Sequence, residues 1–195
     1  MTTLAALDSL LPLVAPYARA CPANVQEQQL RLAASNFALE TELWRERLVP
    51  ILIVEGQREY ALALPEGIDG RIKRIQQLII GHEKKHRNEY SFGPDQVLWL
   101  ERMPTIGGTP MIVEVVVQPD ALCTQYPDWL IGRWQNAIAQ GALYFIKSML
   151  DLPWGNEKQA GVHQAAYMRG IGFAKVDNLS GYKNGNVTAR LRKFF

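Results

Sequence analysis

Between Tyr126 and Asn178 the chain carries two apolar helical stripes separated by only a few residues. Helices joined so closely must fold back on one another. Tyr126-Pro127-Asp128 closes the preceding segment. Pro127 suits an extended or first-turn position, and Asp128 sets a carboxylate near the unpaired N–H groups of a helix start. Leu130, Trp134, Ala137, Ile138, Gly141, Phe145 and Met149 then recur at steps of mostly three and four. They give one broad apolar stripe on a helix of about six turns. Leu152-Pro153-Trp154-Gly155-Asn156 ends it, and Asn156 is placed to cap a second helix with the stripe Ala160, His163, Tyr167, Ile171 and Ala174. The pattern predicts an antiparallel helical hairpin. Gly132, Gly141, Gly170 and Gly172 weaken these helices, and either close helix–helix approach or local bending would explain them.

Upstream, Asn24 followed by Val25-Gln26-Glu27 reads as an N-cap with a carboxylate at the third helical position, opening a helix from about Val25 to Arg47. Leu30, Ala33, Phe37 and Trp44 line one side of it, and Leu32, Leu39 and Leu43 lie nearly opposite. A helix apolar on two sides packs between two partners, one of which can be a neighbouring subunit. Leu4 to Tyr17, interrupted by Pro12 and Pro16, reads as one or two short helices.

After Pro50 the apolar period changes to two. Ile51–Val54, the alternation Tyr60, Leu62, Leu64, the mixed segment Ile72–Ile80, Val97–Leu100 and Ile112–Val117 read as strands, separated by Gly- and Pro-bearing turns. Runs of helices, then strands, then helices predict an α+β fold rather than an alternating one. The simplest topology is a bundle of N- and C-terminal helices with a small antiparallel β-sheet lobe inserted in it. The expected boundaries are 1–50 for the N-terminal helices, 51–120 for the lobe, 121–180 for the helix hairpin and 181–195 for an extended tail.

With 195 residues, 48% hydrophobic and 21% charged, the chain can bury a sizeable core. A net charge of +2 argues against a dedicated nucleic-acid binder. Arg71-Ile72-Lys73-Arg74 and the basic tail could touch phosphate in a small DNA-binding accessory protein, but a charged surface explains them as well. Cys21 and Cys123 make no metal-type spacing and read as reduced thiols. No apolar run reaches the roughly 20 residues of a membrane span, and Met1-Thr2-Thr3-Leu4 lacks the basic start of a signal peptide, so the chain is expected to stay where it is made.

His82-Glu83-Lys84-Lys85-His86 matches the His-Glu-x-x-His pattern, in which two imidazoles on one helix face and the glutamate would serve a zinc-dependent hydrolase. Its surroundings, Gly81 before it and Arg87, Asn88, Glu89, Ser91, Gly93 and Pro94 after it, read instead as a solvated hairpin tip, and two lysines would stand beside the metal. Gly107-Gly108 lacks the spacing and the lysine of a phosphate loop. No catalytic constellation and no cofactor are implied.

Four stretches together resemble the head–tail adaptor (connector) proteins of tailed bacteriophages, of the tail tubular protein A type. They are Leu10-Leu11-Pro12 through Cys21-Pro22 with the helix bearing Gln29-Leu30-Arg31 and Phe37; Gly56-Gln57-Arg58-Glu59-Tyr60 with Leu64-Pro65; Tyr126-Pro127-Asp128-Trp129 to Gly141-Ala142-Leu143; and Pro153-Trp154 with the last helix. Their order and spacing, over most of residues 4–180, carry the resemblance. It implies a non-enzymatic virion protein, made in the host cytoplasm, that forms a homo-oligomeric ring of about twelve copies under the portal protein. Such a ring extends the channel through which genomic DNA passes without sequence recognition, meets a downstream tail or nozzle protein, and touches no membrane. The resemblance further implies a portal-docking tail, here Arg190, Leu191, Arg192, Lys193, Phe194 and Phe195. Expected subunit-packing residues are Leu32, Leu39, Leu43, Leu130, Trp134, Ile138 and Phe145.

Overall fold

The computed structural model describes residues 2–180, and they form an α+β fold. In chain order the elements are β1 (Leu4–Ala6), α1 (Leu11–Val14) between two 3-10 turns, α2 (Ala23–Thr41), β2 (Arg45–Arg47), β3 (Ile51–Leu52), β4 (Glu59–Ala61), β5 (Gly70–Ile80), β6 (Glu83–Lys84), β7 (Tyr90–Phe92), β8 (Val97–Leu100), β9 (Pro110–Pro119), β10 (Gln125–Pro127), α3 (Asp128–Lys147) and α4 (Glu157–Ser180). The portal-docking residues Arg190–Phe195 lie outside the described residues.

The N-terminal segment is helical only from Leu7. Leu4–Ala6 instead pair antiparallel with Gln125–Pro127, and the Asp128 N–H donates to the Thr3 carbonyl at 2.9 Å. The chain start is thereby sewn to the start of α3. Asp128 is the first residue of that helix, with Pro127 at the cap, so its carboxylate lies in the first turn and does not cap by a hydrogen bond.

Helix α2 starts two residues earlier and ends six residues sooner than its apolar pattern predicts. Pro22, not Asn24, precedes the helix, and its carbonyl accepts from the N–H groups of Val25 and Gln26. The Gln26 amide ties back to the carbonyls of Ala18 at 3.2 Å and Cys21 at 2.8 Å. At the other end Glu42 takes a left-handed conformation, φ 51°, and stops the helix. Leu43 and Trp44 keep helical spacing in sequence, but both turn into the core. Trp44 packs on Tyr126 with ring centroids 5.3 Å apart, its Nε1 donates to Glu46, and Arg45–Arg47 continue as a strand.

Strand β9 organises the sheet. It pairs antiparallel with β5 along one edge and with β2 and β3 along the other. β4, β8 and β7 form a second, three-stranded sheet. Tyr60, Leu62, Leu98 and Leu100 share one buried cluster with Ile72, Ile75, Leu78, Met111, Val113 and Val115. Gln96 bridges the two sheets: its side-chain oxygen accepts from the Ile72 N–H at 2.8 Å, close to a bulge in β5. Further along β9, Val117 belongs to the helical cluster, so this one strand joins both cores.

The hairpin of α3 and α4 forms as its pattern predicts. Its break is closed by Asn156, whose N–H donates to the Lys147 carbonyl at 2.8 Å and whose side-chain oxygen accepts from the Gln159 N–H at 3.0 Å. Close approach accounts for two of the helical glycines. A Cβ at Gly141 would stand 2.7 Å from the Tyr167 ring, and one at Gly170 would stand 2.5 Å from the Ala137 Cβ. The Tyr167 ring therefore lies directly on the α3 backbone at Gly141, and the α4 backbone at Gly170 lies on the Ala137 methyl. Tyr167 reaches past α3 to donate its hydroxyl to the Ala33 carbonyl of α2 at 3.0 Å. Its ring packs against Phe37 and Phe145 at 6.4 and 6.3 Å.

Gly141→Ala and Gly170→Ala are expected to lower the unfolding free energy by about 1–3 kcal/mol through overpacking. Gly161→Ala, where a Cβ meets nothing within 4 Å, is expected to raise it by up to about 1 kcal/mol through helix propensity. Urea denaturation of the three variants checks the contrast, and stabilisation by all three would exclude close approach.

Candidate assembly surface

Ala160, Tyr167, Ile171 and Ala174 of α4 are buried against α2 and α3, and His163 is half-buried beside them. His163 Nδ1 lies 2.6 Å from Gln140 Oε1. Burial, aided by the Lys147 cation, holds the imidazole below its ordinary pKa. Charged pairs grip the flanks of the helix: Lys175 with Glu40 at 2.8 Å and Asp177 with Arg133 at 2.5 Å.

The last described turn of α4 locks onto the end of α2. The Asn178 amide donates to the carbonyls of Thr41 at 2.7 Å and Glu42 at 3.4 Å, two groups that a helix end leaves without intrahelical partners. Its oxygen accepts from the Arg45 guanidinium, so one side chain connects α4, α2 and β2. An open recess of about 570 Å³ lies beside this joint, lined by Leu43, Arg45, Glu114, Trp129, Arg133 and Asn178.

Glu42 makes the complementary joint to β5. Its carboxylate meets Lys73 Nζ at 2.9 Å and Arg74 Nε at 3.0 Å, with the Arg74 Nη2 bonded to the same oxygen. Lys73 also donates to the Leu39 carbonyl. The Arg74 hydrogen bonds, joined by those of Lys73 and opposed by burial, pull the Glu42 pKa from 4.5 down to about 2.

While its inner side and flanks are engaged, the outer side of α4 faces water. Val162, Ala165, Arg169, Phe173 and Val176 recur there at steps of three and four, all exposed, with Met168 and Leu179 on the border. Phe173 is 62% exposed and Val176 60%. A helix apolar on both sides is normally buried on both. An apolar stripe left in water, here interrupted by Arg169, is a candidate interaction surface. Chemically this face offers apolar contact and one cation. Among the described residues no group of three His, Cys, Asp or Glu side chains could hold a metal ion, and no helix is long and apolar enough to cross a membrane.

The expected packing residues divide between the chain's own core and its surface. Leu43, Leu130 and Ile138 are buried inside the chain's own core and leave no surface for a neighbour. Trp134 and Phe145 are half-buried against the same core, Trp134 beside Phe37 at 5.7 Å. Leu39 is half-buried, and Leu32 is exposed on the side of α2 away from the core. The outer stripe of α4 escapes the sequence reading because the inner stripe, led by Tyr167 and Ile171, accounts for the helix. Counting the opposite side, Val162 through Val176, would have exposed it.

His82 and His86 are exposed, and the helix that would bring them to one face is not formed. The segment is a hairpin, with Glu83-Lys84 paired to Ile79-Ile80 and Glu83 bonded to Lys85.

No protein-family model matches the chain, and a search of curated proteins finds no significant relative.

A carboxyl whose folded-state pKa is depressed stabilises fully above its unfolded value and loses that contribution as pH falls toward its folded value. Glu42→Gln is therefore expected to lower stability by about 1–2 kcal/mol at neutral pH, solvent screening included. The gap to wild type should narrow as pH falls from 4.5 toward about 2. Denaturant titrations across that range measure it, and a gap independent of pH would assign the effect to the backbone at Glu42 instead.

Proposed function

We propose that this chain is a non-catalytic assembly subunit, a head–tail adaptor of a tailed bacteriophage. In this reading about twelve copies form a ring beneath the portal of a filled capsid, extend the DNA channel and present a surface to the next tail component. The helices act as a bundle that builds the ring wall, with the strands as a lobe inserted between its N- and C-terminal parts. The observation that carries the reading is the outward apolar stripe of α4, which a solitary chain has no reason to keep in water. The resemblance of residues 4–180 to such adaptors supplies the identity of the assembly.

The basic and aromatic segment Arg190–Phe195 completes the reading as the portal-docking element. Its cations would meet acidic portal side chains, and its two phenylalanines would fill an apolar groove. Deleting Arg190–Phe195 is expected to abolish joining to portal-bearing capsids while circular dichroism and thermal melting stay at wild-type values. Electron microscopy of capsids incubated with each protein checks this, and undiminished joining by the truncated chain would remove the tail from the docking role.

A further inference from the structure

We propose that the open edge of β2 is a docking site for an added strand, and that its occupant is residues 187–192 of the same chain. The Val117 N–H donates to the Trp44 carbonyl and the Leu48 N–H to the Val113 carbonyl, so Trp44, Glu46 and Leu48 turn their backbone groups toward β9. In an antiparallel ladder the residues between them face the other way. Arg45 and Arg47 therefore point their N–H and C=O groups outward, and β2 has no second neighbour among the described residues. An open recess of about 680 Å³ follows that edge, with residues 45–50 on one side and Thr2, Leu4, Pro65 and Ile68 on the other. A strand edge that lines a groove is where an extended segment adds by main-chain hydrogen bonds.

Sequence and tether choose the occupant. Val187, Ala189 and Leu191 alternate with Thr188, Arg190 and Arg192, the period of a strand with one apolar side. Before them, Gly181 and Asn184-Gly185 read as linker and turn. The last described turn of α4 already stands at this edge. Asn178 accepts from the Arg45 guanidinium, and the recess beside Asn178 shares Arg45 and Glu114 with the groove along β2. The six residues from 181 to 186 span at most about 20 Å. So short a tether holds the segment at an effective concentration of about millimolar, an advantage no separate partner has. Charge is the smaller factor. Glu66 and Glu114 line the groove without an ion pair among the described residues and suit a segment with cations and no carboxylate. Arg47 opposes it, Arg45 is held by Asn178, and Glu46 already accepts from Thr2 and Trp44. One consequence rests on the adaptor reading above: residues 187–192 must leave β2 before residues 190–195 can dock elsewhere, so the contact keeps the docking element covered in the free chain.

The test is hydrogen exchange of the full-length chain, resolved to single amides by fragmentation mass spectrometry, at two protein concentrations and with no capsid present. The comparison is a full-length variant carrying Ala189→Pro together with Arg190→Pro. Neighbouring residues of a strand aim their N–H groups in opposite directions, so two adjacent prolines remove a pairing N–H whichever register is used. The Arg45 and Arg47 amides are expected to exchange at least about 10-fold more slowly in the wild type than in the variant, while Glu46 and Leu48 stay equally protected in both. Arg45 and Arg47 amides that exchange equally fast in the two proteins would overturn the proposal and leave β2 as an edge blunted by its own charges. Protection found only at the higher concentration would also overturn it, by placing the strand on a second copy. Neither result bears on the adaptor reading, and a failure to join capsids leaves the strand pairing intact.

Discussion

The close contact between α3 and α4 governs what the rest of the described chain can do. Because Gly141 and Gly170 put no side chain between the two backbones, the Tyr167 ring fits against α3 and its hydroxyl reaches α2 beyond. One helix therefore touches both others through an inner face that sets Tyr167 and Ile171 among the small Gly170 and Ala174. Tyr167, Phe37, Phe145 and Trp134 then fill the remaining volume as tilted ring pairs. Phe173 and Met168 stand at helical positions turned away from that seam and stay exposed. Inner fit and outer exposure are two sides of the same packing decision.

The helical and sheet cores are joined by few but specific features. β9 runs from one to the other, and Glu42 with Lys73 and Arg74 ties the end of α2 to β5. Asn178 ties α4 to that same end of α2 and to β2. The helix terminus at Thr41–Glu42 is thus a meeting point for three elements. Its carbonyls are satisfied by side chains of distant residues instead of by a glycine cap. The left-handed turn at Glu42 is what places the carboxylate between the two cations.

The α+β class, the helical hairpin, its Asn156 cap and most of the strands were legible because periodicity and turn residues act locally. Helix ends were less so. Leu43 and Trp44 continue the spacing of α2, yet the pull of Tyr126 on Trp44 is a contact made across the fold, which no local pattern contains. Leu4–Ala6 reads as helix for the same reason, since its partner strand lies more than a hundred residues away. The packing residues chosen from the sequence were the strongest hydrophobes on each stripe, and strong hydrophobes such as Leu130 and Ile138 go first to a chain's own core. The exposed face shows only once the inward one is known, because both sides of α4 carry apolar residues.

Arg169 also bears on how the chain behaves in a crowded solution. A freshly made copy carries an uncovered stripe that could adhere to any apolar surface in a crowded cell. A cation at its centre makes every such adhesion cost the desolvation of that charge unless a carboxylate pairs with it. The residue then works as a colloidal gatekeeper: it slows random sticking and so widens the range of concentrations over which the protein can accumulate in solution.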